Sequence, residues 1–108
     1  YQSFLDEEDN CPYTYRMQYE WDPAKAEANL TAHDVSFAEA VTVLEDDFAL
    51  TREDPNSEGE QRFVTLAMSS FAHLLVVVYT YREPDVIRLI AAWRANRRQR
   101  VRYEKDRR

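Results

Sequence analysis

The sequence predicts an α+β fold, with two helices packed on one face of a mostly antiparallel sheet. Three observations predict it. Two helix starts lie close together, at Asp22-Pro23 and at Ser36 to Glu39. A nearly unbroken apolar, β-branched run follows at residues 74–81. A loop at residues 53–60 holds Asp54-Pro55-Asn56 and the only glycine, Gly59, which marks a hairpin connection.

Each element has a local reason. A short strand is expected around residues 18–21. Asp22 suits an N-cap and Pro23 the first helical position, so a helix runs to about His33 and Asp34. Ser36 and Glu39 match a capping box, with Val35 and Ala40 as a hydrophobic staple. Phe37, Ala40, Val41 and Leu44 then fall at i, i+3, i+4, i+7, one buried stripe ending at Glu45, Asp46 and Asp47. Strands are expected at residues 48–52, 62–68, 74–81 and 86–93, with a turn at Pro84. Asn96, with Gln99 three residues on, caps a last helix. The order is β-α-α-β-β-β-β-α. Residues 1–17, acidic and without a sustained period, read as a loosely ordered leader, and residues 18–108 as one domain.

A chain of 108 residues has room for one domain. One glycine excludes Gly-rich phosphate loops. The one cysteine, Cys11, excludes an intrachain disulfide, and with only His33 and His73 beside it a zinc site is short of ligands. No metal or other cofactor is therefore expected, and a reduced, cytoplasmic setting is. No apolar run approaches the length of a membrane helix, and the first stretch, which opens on Tyr1, shows no signal peptide.

Charge supplies the first functional clue. Residues 1–87 hold 5 basic and 18 acidic residues, a net of −13, whereas residues 88–108 hold 9 basic and 2 acidic residues, a net of +7. The C-terminal end is thus a basic patch on an acidic chain, able to meet an anion.

Three constellations could carry chemistry. Lys25, Asn29 and His33 stand at i, i+4, i+8 along one helix edge, where a cation, an amide and an imidazole could hold a phosphate or move a proton; the alternative is a solvated edge. Arg88 and Arg62 lie among apolar strand residues, Arg88 on a face expected to hold Val86, Ile90 and Ala92, and Arg62 with Val64, Leu66 and Met68. Each is either an ion pair or an anion clamp. Finally, Arg94, Arg97, Arg98, Arg100 and Arg102, with Trp93 and Tyr103, place cations in the first turn of a helix, where the partly positive N-terminus favours acids. That pattern suits a phosphate backbone with aromatics stacking on bases, or else pairing with the acidic body. Asp46 and Asp47 are adjacent in sequence and do not face each other. HExxH, CxxC and GxSxG motifs are absent.

In order along the chain, Tyr19-Glu20-Trp21-Asp22-Pro23-Ala24-Lys25, Asn29, His33-Asp34-Val35-Ser36-Phe37, Glu60-Gln61-Arg62-Phe63-Val64, residues 74–80, Ile87-Arg88-Leu89-Ile90, Arg97-Arg98 and Tyr103-Glu104 resemble the BrnT toxins of bacterial type II toxin–antitoxin systems. The resemblance implies a RelE-like fold and a metal-independent endoribonuclease that arrests translation. It also implies a BrnA-like ribbon-helix-helix antitoxin that neutralises the toxin, with operator DNA contacted only through that antitoxin. In this frame His33, Arg62, Arg88, Lys25 and Glu60 are the candidate catalytic residues, His33 carrying protons and the arginines clamping phosphate. Asn29, Arg94, Arg97, Arg98 and Tyr103 are the candidate RNA contacts. Two departures from the family pattern stand out: Ala91-Ala92-Trp93 where Ser-Ala-Arg is usual, and Ala32-His33-Asp34 where Lys-His-Gly is usual. They sustain a second reading, a non-cleaving chain that serves as antitoxin partner and co-repressor.

Overall fold

The computed structural model describes residues 17–106; all of the acidic leader except Met17, Cys11 included, lies outside them. The elements run β1 (Gln18–Glu20), α1 (Pro23–His33), α2 (Phe37–Thr42) with a 3-10 turn (Val43–Glu45), β2 (Leu50–Glu53), β3 (Phe63–Met68), β4 (Leu74–Glu83), β5 (Val86–Arg94) and α3 (Arg97–Asp106). The expected order holds. One five-stranded sheet is ordered β1-β5-β4-β3-β2, antiparallel except for β1, which runs parallel to β5.

The helix starts form as their residues dictate. Asp22 Oδ1 accepts from the Ala24 N–H at 2.9 Å, with Pro23 following it. α1 stops because Asp34 adopts a left-handed φ of 57° and returns its N–H to the Leu30 carbonyl, a closure glycine usually makes. Ser36 Oγ accepts from the Glu39 N–H at 3.0 Å. The reciprocal half of that capping box is replaced: Glu39 Oε2 accepts from Ser69 Oγ and contacts His73 Nδ1, each at 2.7 Å, and so ties α2 to the β3–β4 turn. In α3 the box is complete, since Asn96 and Gln99 exchange bonds of 2.8 Å in both directions.

The stripe of α2 shifts at its end. Phe37, Ala40 and Val43 are fully buried, while Val41 and Leu44 are only partly so. Tightening to three residues per turn at Val43–Glu45 brings every third residue to the core, so Val43 takes the place expected of Leu44.

The core lies between the helices and one sheet face. Val35, Phe37, Ala40 and Val43 pack on Ala67, Leu75, Val77, Ile87, Leu89 and Ala92. The register of β5 corrects one expectation. Val78 pairs with Ala91 but Tyr79 pairs with Leu89, so Ile90 is an inserted, bulged residue. The insertion reverses the alternation, turning Ala92 to the helices, away from the face that carries Arg88. On that second face α3 is anchored by Tyr103, 2% exposed. Its hydroxyl donates to Asp46 Oδ2, which also accepts from the Met68 N–H at 2.8 Å.

Candidate nucleic-acid interface

The structure divides the predicted site residues between two ends of the sheet. At one end, Arg88 Nη1 lies 3.0 Å from Glu20 Oε2, directly across the β1–β5 register. Arg62 Nε lies 3.5 Å from Glu60 Oε2, and this buried nitrogen has no hydrogen-bond partner. Thr80, which pairs with Arg88, donates its hydroxyl to the Gln61 carbonyl at 2.6 Å, so the two arginines flank one row. At the other end, the exposed His33 ring closes α1 with its centroid 6.0 Å from that of Trp93. Arg94 ends β5 there, and Arg97 and Arg98 open α3. Arg88 and Trp93 are five residues apart on one strand, on the order of 15 Å. His33 and the two expected clamps therefore do not converge on one phosphate, contrary to the simplest reading of the sequence.

Two expected RNA contacts are corrected. Asn29 is 7% exposed, and its amide is fully engaged with backbone. Nδ2 donates to the carbonyls of Val35 at 3.0 Å and Ala92 at 2.8 Å, and Oδ1 accepts from the Ala92 N–H at 3.1 Å. Three-residue β1 stops at Glu20, opposite Arg88, so Asn29 satisfies β5 where its edge strand has run out. Tyr103, buried against Asp46, has no free face for a base.

The basic stretch itself is exposed. Arg94, Arg97 and Arg98 make no ion pair among the described residues, whereas Arg100 and Arg102 reach Glu104 at 3.8 Å and Asp106 at 3.6 Å. Such solvent-facing i,i+4 pairs hold their partners weakly. Lys25 is also exposed and has no ion pair among those residues. On the second sheet face, between β2–β4 and α3, runs a groove of about 330 Å³ with an apolar floor at Leu66 and Val76 and cations at Arg52, Arg98 and Arg102. Residues 21–99 match the family described as the ribonuclease toxin, BrnT, of type II toxin–antitoxin systems.

The chain belongs to the BrnT toxin family. The crystal structure of the Brucella abortus ribonuclease toxin BrnT superposes with a TM-score of 0.57 at 17% identity, covering 76% of this chain and all of that one. It supports the fold. No curated protein matches the chain by sequence.

Other polar groups complete the picture. His73 is held by Glu39, which ties α2 to the β3–β4 turn. Phe63, Tyr79 and Tyr81 form a ring cluster with centroids 5.5 to 6.0 Å apart. Burial, then Glu45, Tyr81 and Tyr79, raises the Tyr19 phenol above its ordinary pKa, and burial followed by Tyr79 raises Tyr81; both stay neutral near pH 7. Among the described residues no three His, Cys, Asp or Glu side chains gather as metal ligands would, and no helix is long and apolar enough to cross a membrane.

Two signals in the sequence pointed to the missed anchors. α1 offers only alanines and the half-exposed Leu30 as apolar contacts, so something else had to hold it to the sheet, and Asn29 does. In α3, Tyr103 is the sole aromatic among charges, which suits an anchor better than a free stacking platform.

Proposed function

We propose that this chain is a metal-independent endoribonuclease toxin whose cleavage centre lies at the His33 end of the sheet, held in check by a BrnA-like ribbon-helix-helix antitoxin. The observation that carries the reading is the exposed His33 imidazole beside the partly buried Trp93 indole, on the strand that runs on through Arg94 to Arg97 and Arg98 at the start of α3, three arginines with no ion pair among the described residues. Cleavage of RNA by its own 2′-hydroxyl needs a proton removed from that hydroxyl, charge stabilised on the phosphorane and a proton delivered to the 5′-oxygen. His33 moves the proton. The arginines grip phosphate, and the Trp93 ring offers a surface for a base. Lys25 adds positive charge along the exposed side of α1. Arg62 and Arg88, with Glu60 and Glu20 beside them, meet the strand farther along, so Glu60 balances Arg62 rather than acting as the base. Operator DNA is met only through the antitoxin.

Expression of the chain alone in bacteria should arrest growth, and co-expression of the partner should relieve it. Purified chain should cleave RNA in excess EDTA; cleavage restored only by magnesium would overturn the mechanism. A second reading, a partner that no longer cleaves, draws on the neutralisation of Arg88 by Glu20 and Arg62 by Glu60. It is favoured if growth continues while the antitoxin still binds.

The basic stretch gives a separate expected result. Arg97→Ala with Arg98→Ala should weaken RNA binding and reduce the slope of log affinity against log salt by about 1 to 2. Melting temperature should hold, because exposed arginines contribute little to stability. An unchanged salt slope would assign these two residues to another partner.

A further inference from the structure

We propose that the acidic segment at residues 6–9 docks into the groove between α3 and the second sheet face, covering its arginines and competing with RNA. The groove has an apolar floor, with Leu50, Leu66 and Val76, and a cationic rim, with Arg52, Arg98 and Arg102. Arg52 and Arg98 have no ion pair among the described residues, and Arg102 has only an exposed contact at 3.6 Å. A ligand that fits must be apolar at one point and strongly anionic beside it. Phe4-Leu5 followed by Asp6-Glu7-Glu8-Asp9 has that composition, and residues 1–16 carry four acids against one base.

The tether also suits. Gln18 opens β1, held by the Asp85 carbonyl at 2.8 Å. From there the groove is three strands across, about 15 Å, and roughly 20 Å along the strands, hence about 25 Å away. Nine residues from Asp9 to Gln18 reach about 30 Å when extended. A segment so tethered acts at an effective concentration that a separate acidic peptide must exceed, which favours this occupant. Docking stands on the groove and the charges alone. Competition with RNA rests on the function proposed above, since Arg98 serves both.

Cys11 is the chain's one cysteine and sits beside the acids, so it takes a nitroxide label on the full chain. Amide signals of Leu50, Leu66, Arg98 and Arg102 should fade in the labelled protein. They should recover in a variant carrying Asp6→Asn, Glu7→Gln, Glu8→Gln and Asp9→Asn, and at about 0.5 M salt, where attraction between exposed charges is screened within a few ångströms. Fading confined to β1, or unchanged by neutralisation, overturns the proposal. So does fading in an unlabelled, isotope-enriched chain mixed with labelled chain, because the segment would then be reaching a second copy. A fluorescent single-stranded oligoribonucleotide should bind the neutralised variant roughly fivefold more tightly, the factor expected if the groove is open a fifth of the time. If neither protein binds RNA while the fading pattern holds, docking stands and the ribonuclease reading falls.

Discussion

Asn29→Leu is expected to cost about 3 to 5 kcal/mol and to lower the melting temperature by at least about 12 °C. The substitution keeps approximate volume and removes three bonds at once. It strands the Ala92 N–H and carbonyl and the Val35 carbonyl, all contacts in a buried setting. A buried backbone group left without a partner costs about 1 to 3 kcal/mol, out of a total stability of about 5 to 15 kcal/mol for a domain. Asn29→Asp should be no better: one oxygen can still accept from Ala92, but a carboxylate then faces two carbonyl oxygens with no proton to offer them. Lys25→Ala, one turn earlier and exposed, should stay within about 0.5 kcal/mol. Urea or thermal unfolding of the three variants decides the matter. A melting temperature for Asn29→Leu within 2 or 3 °C of the parent would mean that α1 is held by something else. Below its melting point, Asn29→Asp should bind RNA as the parent does, because the amide lies under the helix and away from solvent.

The spacing of Lys25, Asn29 and His33 is ambiguous. Residues at i, i+4, i+8 drift by about 40° per step, so Lys25 and His33 lie on either side of Asn29 on the helix surface. The same spacing fits three exposed groups or one buried group between two exposed ones. Only the sheet beneath decides, and spacing within a helix carries no information about it. The bulge at Ile90 was hidden for a related reason. Val86 to Trp93 contains apolar residues on both faces, so neither phase of the alternation is marked by polar side chains, and one inserted residue leaves no trace. Where caps and apolar runs are specific, the elements form as the sequence predicts: Asp22-Pro23, Asn96 with Gln99 and the central strand in full, and Ser36 as the cap of α2 without the reciprocal Glu39 bond. The basic character of the C-terminal end was also legible, because charge is local. Which cations stay unpaired was not, at that end or elsewhere, because Glu20 reaches Arg88 only through the register of the sheet, and Glu60 reaches Arg62 only through the loop before β3.

His33→Gln should lower the RNA cleavage rate by roughly 10²-fold or more while leaving the fold and antitoxin binding intact. The argument begins with what holds the two histidines. His73 spends Nδ1 on Glu39 at 2.7 Å, bracing α2 against the β3–β4 turn. His33 has no such partner among the described residues: it is exposed at the end of α1, with the Trp93 ring beside it. An imidazole is the side chain that gives and takes a proton near neutral pH, and glutamine of similar reach can only hydrogen-bond. His73→Gln should show the opposite pattern, a lower melting temperature at a nearly unchanged rate. Lys25→Ala should fall between, since a cation along α1 can aid phosphate binding but transfers no proton at neutral pH. Cleavage of one labelled RNA by the three variants, across pH and after melting curves, separates the roles. Wild-type rates in His33→Gln would move the proton transfer elsewhere, to Glu60 beside Arg62, and with it the cleavage centre to the other end of the sheet.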